Sequence, residues 1–249
     1  MIDVTAAMTA HGEGLLAGPA LHSFQTAIDV ARAAGLNVEQ LVVLDRPDAT
    51  TRAVFEGLDR RLFRIVIHDG GDPALARNRA VAEARGEHVT FLDGDDLWSP
   101  NWVAEAVAFC RRQTVPVVAH SQINIVFGLV RGVWLHADSL AAGFDAGYQR
   151  VGNLWDAMCC ARRELLAAYP FRRNDVAAGY GHEDWHWNNE TLAAGIAHRP
   201  VPETVHFKRR RKGSQMTICE ERDVVVYPSA LTRFDADAAG VQVRQGLRA

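Results

Sequence analysis

Three carboxylates stand within four residues at Asp93-Gly94-Asp95-Asp96, directly after the apolar run Val89-Thr90-Phe91-Leu92. Oxygen ligands packed this closely suit a hard divalent cation such as Mg2+ or Mn2+, which binds a few carboxylates together with substrate phosphates. Val89 to Leu92 reads as a strand, Gly94 frees the backbone to turn, and Ser99-Pro100 reads as an N-cap with proline at N1 of the next helix. The acids are therefore expected at the carboxyl end of a strand. A second constellation is His182-Glu183-Asp184-Trp185-His186. It satisfies His-Glu-x-x-His, the spacing that sets two imidazoles on one helix face to bind zinc, with Glu as general base. A third is the basic run His206-Phe207-Lys208-Arg209-Arg210-Arg211-Lys212-Gly213-Ser214, which reads as a solvated basic loop or a site for an anionic partner.

Other readings compete for the first two groups. The acids could form a solvated turn. A calcium-binding EF-hand loop counted from Asp93 would put Trp98 where glycine is needed and Ala104 where a bidentate Glu is needed, so that reading fails. A phosphatase of the haloacid dehalogenase kind also ends a strand in Asp-x-Asp, but near the start of its domain, whereas here 92 residues come first. The zinc reading of 182–186 needs a continuous helix, yet Gly179 and Gly181 lie just upstream. The extended metzincin pattern fails at Asn189. Glu203, Glu220 or Glu221 could still supply a distant third ligand, but zinc hydrolysis leaves the acid cluster unexplained.

The elements that must position these groups follow from patterning. Ile2 to Met8, Leu41 to Leu44, Leu62 to Ile67 and Val89 to Leu92 read as strands. Helices are expected from Pro19 to Gly35, from about Asp48 to Asp59, and from Asp72-Pro73 to about Arg85. Alternating strands and helices specify a mostly parallel sheet flanked by helices, with ligands beyond the carboxyl ends of the strands. His11, Glu13, Asp45, Asp93 and Asp95 all fall at such ends. After a helix from Trp102 to Arg112 come three short strands, at 115–119, 123–127 and 133–136, implying mixed sheet. Asn153 to Tyr169 reads as helix with a strand-like start, and Trp185 to Gly195 as helix.

Composition excludes several classes. The chain of 249 residues is 48% hydrophobic and 23% charged, an ordinary globular balance expected to form one compact unit. Lys and Arg number 27 against 30 Asp and Glu, a net charge of −3, so bulk electrostatics does not favour nucleic acid or an anionic membrane. No apolar run approaches the ~18 residues of a membrane span, and acidic Asp3 stands where a signal peptide carries positive charge. A cytoplasmic location is expected, with peripheral contact at the inner membrane face compatible with it. Cys110, Cys159, Cys160 and Cys219 have no Cys-x-x-Cys spacing and read as reduced thiols.

The order Gly71-Asp72-Pro73-Ala74-Leu75-Ala76-Arg77-Asn78, Ala84-Arg85-Gly86-Glu87, then a strand ending in Asp93-Gly94-Asp95-Asp96 resembles the family 2 nucleotide-sugar glycosyltransferases. With the first two strands and the later Glu183-Asp184 pair, the resemblance spans roughly residues 2 to 215. It implies an α/β fold of GT-A type, with a Rossmann-like nucleotide-sugar-binding half over about 1–98, a smaller mixed-sheet acceptor half over 99–215 and an extension over 216–249. It implies a donor site of Thr9, His11, Glu13, Asp45, Arg77, Asn78, Asp93 and Gly94, and Mn2+ or Mg2+ on Asp95 with Asp93 and a late histidine, His206. Asp184 is then the base, with Glu183 as its alternative. Trp185 and His182 would meet the acceptor, and Arg209 and Arg211 the diphosphate. The implied reaction is inverting transfer of one sugar from a nucleotide-diphosphate sugar, UDP-sugar favoured, to a glycan or glycolipid hydroxyl. An inactive nucleotide-sugar binder is the remaining alternative. His11-Gly12-Glu13 and Asp45-Arg46-Pro47-Asp48 depart from the family's usual loops, and the processive enzymes' Gln-x-x-Arg-Trp pattern is absent.

Overall fold

The first four strands are apolar runs, and those inside the sheet are buried on both faces while the edge strand is mostly half-buried. In the computed structural model, which describes residues 1–232, these are β1 (Val4–Ala10), β2 (Val38–Asp45), β3 (Phe63–His68) and β4 (His88–Asp93). They pair in parallel in the order β3-β2-β1-β4. Parallel neighbours require crossovers, and α1 (Ala17–Ala33), α2 (Ala49–Glu56) and α3 (Pro73–Glu83) supply them.

Each helix is set by local chemistry. α1 buries Ala20, Leu21, Phe24, Ala27, Ile28 and Ala31, a stripe at helical spacing, and Gly35 at φ +88° ends it. It begins two residues before Pro19, continuing a 3-10 turn at Gly14–Leu16. Asp48 caps α2 by accepting from Thr51 N at 2.7 Å. Asp72 caps α3 by accepting from Ala74 N at 2.9 Å, with Pro73 in the first turn.

The second half contains β5 (Leu97–Trp98), α4 (Trp102–Arg112), β6 (Val117–Gly128), β7 (Gly132–Leu135), β8 (Cys159–Arg162), α5 (Arg163–Ala168), β9 (Tyr180–Gly181), α6 (Glu183–Ala193), β10 (Ala197–Arg210), α7 (Gln215–Glu221) and β11 (Val225–Val226). Strand β8 runs antiparallel to both β4 and β6. It joins the halves into one sheet of order β3-β2-β1-β4-β8-β6-β10-β5, with β7 on β6. Alternating residues of β4 feed two cores, Leu92 on the α1–α4 face and Val89 and Phe91 on the α3–α5 face.

Four expectations change. Ser99 does not cap the next helix: α4 starts at Trp102, and the Ser99 hydroxyl is held by Val205 N and Asn101 across to β10. The two strands expected within 115–127 are one long strand, β6, because it pairs along β10 on one edge. The helix expected from Asn153 is β8 followed by six residues of α5, since Met158 to Ala161 is a buried run between two strands. The boundary at 216 cuts α7, so the described part of the supposed extension is integral to the fold, while its residues 233–249 lie outside the described residues.

Gly86 is a packing requirement, since a Cβ there would lie 2.4 Å from Thr5 N and 2.5 Å from Val4 C, backbone atoms that cannot yield. Gly86→Ala is expected to cost about 1–3 kcal/mol in urea unfolding. Gly57→Ala, which meets nothing within 4 Å, should leave the transition unmoved.

Candidate active site

Asp93 ends β4 and meets a buried cation. The Arg77 guanidinium, on α3, donates from Nη2 to both Asp93 oxygens at 2.9 and 3.0 Å and from Nη1 to Glu183 Oε1 at 2.9 Å. Burial disfavours the charge on Arg77, but Asp93 and Glu183 outweigh it and raise its pKa. Burial likewise opposes ionisation of Asp93, yet Arg77 holds its carboxyl below the usual range. Thr9 at the end of β1 adds a hydroxyl donor to Asp93 at 3.1 Å. One guanidinium thus joins the carboxyl end of the parallel sheet to the start of α6.

The next acids diverge. Asp95 accepts through Oδ2 from Arg211 Nε at 2.6 Å, and Arg211 Nη2 lies 3.7 Å from Glu13 Oε1. Burial, with Asp95 nearby, pushes Glu13 up. Asp96 is buried and accepts from Arg209 N at 2.6 Å. Burial, helped by Asp95 and Asp93, pushes its pKa well up against the pull of Lys208. So the consecutive acids differ: Asp95 opens to the cleft and Asp96 is a buried brace for β10.

At the start of α6, two adjacent carboxylates face different ways. Glu183 turns inward to Arg77 and to Asn174 Nδ2 at 3.0 Å. Asp184 turns to the cleft, where burial and the neighbouring Glu183 raise its pKa to about 7. His182 precedes them at φ +58°, the left-handed region, and so sits outside the helix. The two imidazoles of His-Glu-x-x-His therefore do not share a helix face. His186 packs against Tyr227, His182 against Trp185, and Glu183 is committed to Arg77, which removes the zinc-hydrolase arrangement.

These groups line a cleft of about 840 Å³. Of the residues expected there, it gathers Thr9, His11, Glu13, Asp45, Arg77, Asp93, Asp95, His182, Glu183, Asp184, Trp185, Arg209 and Arg211. The Asp45 carboxylate accepts from Gly70 N, Gly71 N and Asp72 N at 2.7, 2.9 and 3.1 Å, folding the loop before α3, where Gly71 takes φ +63°. Three residues are not at the cleft. Asn78 is bound on both amide atoms to the backbone of Phe171. Gly94 lets β4 approach β1, since a Cβ would meet Ala10 at 3.0 Å. His206 is fully buried with its ring 4.5 Å from Trp102, packed in the core and not at Asp95.

Sequence reading passed over Asp156 and Lys208. The Lys208 ammonium lies 3.4 Å from Asp156 Oδ2, and both line the cleft. Burial opposes the charge on Lys208, but Asp156, Asp96, Asp93 and Asp184 raise its pKa. Burial opposes ionisation of Asp156, and Lys208 with the neighbouring histidines holds it low. Asp156, before the buried Ala157 to Ala161, had a signal: a carboxylate entering an apolar run needs a partner. Behind it, His120, His136 and Asp156 offer ligand atoms within 4.8 Å of one another.

The Glycosyl transferase family 2 model matches residues 6–169. The chain is 31% identical over 74 residues to a putative teichuronic acid biosynthesis glycosyltransferase, TuaG of Bacillus subtilis, covering 28% of this chain and 29% of TuaG. Among solved structures it is similar to S. aureus TarS 1–349 in complex with UDP-GlcNAc, with TM-score 0.61 and 17% identity over 87% of this chain and 61% of that one. It is also similar to the mannosyltransferase PcManGT from Pyrobaculum calidifontis in complex with GDP-Man and Mn2+, with TM-score 0.59 and 19% identity over 85% and 58%. The chain thus spans less than two thirds of these relatives, and the structural likeness fixes the fold as GT-A.

Removing Arg77 leaves two carboxylates unpaired at a largely buried junction. Arg77→Met is expected to lose about 3–5 kcal/mol in denaturant unfolding. Restoring charge balance with Glu183→Gln in the same chain should recover part of that loss.

Proposed function

The chain belongs to glycosyl transferase family 2, and from that premise we propose that it moves one sugar from a nucleotide-diphosphate sugar to a hydroxyl of a glycan or glycolipid acceptor, with inversion at the anomeric carbon. UDP-sugar is the favoured donor. The observation that carries this reading is a cleft with two chemically distinct walls. On one, Asp184 is a carboxylate with a pKa near 7. On the other, Asp95 meets Arg209 and Arg211 from the end of β10. That is the division of labour a displacement needs, a base for the acceptor and positive charge for the leaving diphosphate.

Asp184 Oδ1 accepts from Trp185 N at 2.7 Å, which orients the carboxylate that takes the acceptor proton. Trp185 is itself fixed by donation to Gln149 O at 2.6 Å, and with Trp134 it offers aromatic surface to a sugar ring at the cleft. Arg211 and Arg209 hold the diphosphate. The residues at Asp95 fit a hard divalent cation: Arg211 bonds Oδ2, leaving Oδ1 without a hydrogen bond among the described residues. Mn2+ or Mg2+ held there, with Asp93 beside it, would neutralise charge developing on the leaving diphosphate. The proposed setting is surface glycan assembly at the cytoplasmic side of a membrane, reached by peripheral contact. No helix among the described residues is long and apolar enough to cross a membrane.

A panel of nucleotide sugars, assayed with and without Mn2+ for hydrolysis and for transfer to varied acceptors, tests the reading. Donor cleavage under any of these conditions supports it, and none at all would leave only a nucleotide-sugar binder. In active enzyme, kcat/KM should rise with pH through about 7, because Asp184 must be ionised to accept a proton. Asp184→Asn should lower kcat/KM by about 10²–10⁴-fold and abolish that rise.

The same residue makes a stability prediction of definite sign. Its pKa is about 7 when folded against 3.8 for the free side chain. The folded state therefore binds the proton more tightly, and its stability falls as pH climbs between those values. Asp184→Asn escapes this loss. Its Tm should match the parent near pH 4 and exceed it by about 2–6 °C at pH 8.

A further inference from the structure

Behind the cleft lies a buried group of histidines that sugar transfer does not use. His120, His136, His198 and His206 are all buried, and burial disfavours the charged form of each. Each neutral ring carries one N–H and one bare nitrogen, and the surrounding bonds decide which.

The hydroxyl of Thr191 donates to the carbonyl of Trp187 at 2.8 Å, one turn back in α6. In that arrangement its oxygen accepts from His198 Nε2 at 2.8 Å. His198 Nδ1 is then bare and accepts from His120 Nε2 at 3.0 Å. That leaves His120 Nδ1 as a lone pair, fully buried and without a hydrogen-bond partner. Just past the end of β7, His136 Nδ1 lies 2.6 Å from the carbonyl of Ser121 and must donate to it, so His136 Nε2 is bare as well. It faces Asp156 Oδ1 at 3.8 Å, with only the Asn124 amide, 3.4 Å away, to approach it.

His120, His136 and Asp156 each offer a ligand atom here, and these atoms lie within 4.8 Å of one another, while Lys208 and the Asn124 amide occupy Oδ2 of Asp156. From this geometry we infer that His120, His136 and Asp156 form a second metal site, separate from Asp95, that takes Zn2+ or another late first-row divalent ion. Nitrogen-rich ligand sets favour such ions over Mg2+. Bonds of about 2.0–2.1 Å to imidazole would require the three groups to close by roughly 1 Å from their present separation. The partner of each ring is the kind that orients metal-binding histidines, a backbone carbonyl for His136 and the His198–Thr191 relay for His120. His206, with both ring nitrogens buried and unpartnered, is the imidazole available as a further ligand. The bound ion would tie β6, β7, β10 and the segment before β8, fixing Asp156 and, through it, Lys208 at the floor of the cleft.

The test begins with wild-type protein purified without chelator, in which metal analysis should find about one zinc per chain. Co2+ added to the metal-free protein should give a ligand-field absorption band that Zn2+ displaces and Mg2+ does not. Asp95→Asn should keep the band, whereas His120→Asn and His136→Asn should lose it. Thr191→Val removes only the hydroxyl that sets the relay, and it should keep the fold while weakening Co2+ binding by about 10–100-fold. Folded wild-type protein that contains no such metal and gives no band with excess Co2+ overturns the inference. So does a band lost in Asp95→Asn and kept in His120→Asn. Neither outcome depends on whether sugar transfer is observed, so the two readings fail separately.

Discussion

Arg77 is the charge on which the rest of the site depends. It lies in a helix of the parallel half, yet its guanidinium bridges Asp93 at the end of β4 and Glu183 at the start of α6. Two carboxylates that close would repel each other in a medium of low dielectric, where opposite charges about 4 Å apart interact by roughly 4 kcal/mol at an effective dielectric of 20. The cation converts that repulsion into a fixed joint between the halves. Asp72 reinforces it from the cap of α3, its second oxygen accepting from Asn174 N and Nδ2, and Asn174 in turn holds Glu183. The cleft therefore has a hard floor before any ligand enters.

That floor explains why adjacent acids have different chemistry. Glu183 is committed to Arg77, and Asp184, one residue on, is drawn out of water with that carboxylate beside it. Its affinity for a proton rises to a value suited to exchange near neutrality. Asp96 follows the same logic further, buried between Asp93 and Asp95 until its proton is held firmly, while Asp95 keeps an open oxygen. Alternation of burial along a turn and along the first turn of a helix separates roles that side-chain identity alone would leave equal.

Much of this was legible from residue order. The parallel strands, their crossovers and the position of Asp93 to Asp96 follow from period-two and period-3.6 patterning with caps at Asp48 and Asp72, because those signals are local. What was not legible depends on long-range pairing. Asn78 reads as a donor contact beside Arg77, but neighbours on a helix point about 100° apart, and only one of them can face Asp93. His206 lies in a basic run that looks like an exposed loop until residues 205–210 of β10 are seen to pair with β6, where His206 is buried. Asp156 and Lys208 sit 52 residues apart, and nothing local announces that each is the other's partner.

β10 carries this argument furthest. Its early residues are core, and His206 inside and Lys208 at the cleft floor are two residues apart on a strand whose alternation gives them a common side. Arg209 then braces Asp96 and Asp95 through its backbone N–H and its side chain, and Arg211 closes on Asp95 just past the strand's end. The carbonyl of Arg211 accepts from Thr217 in α7, so the last guanidinium is fastened to a helix that itself lines the cleft. β10 and the residue after it therefore deliver cations in order of decreasing burial, from Lys208 locked against Asp156 to Arg211 on Asp95. In the proposed function an anionic donor would enter a site whose inner carboxylates already have cationic partners, so that only Arg211 and Asp95 would exchange theirs.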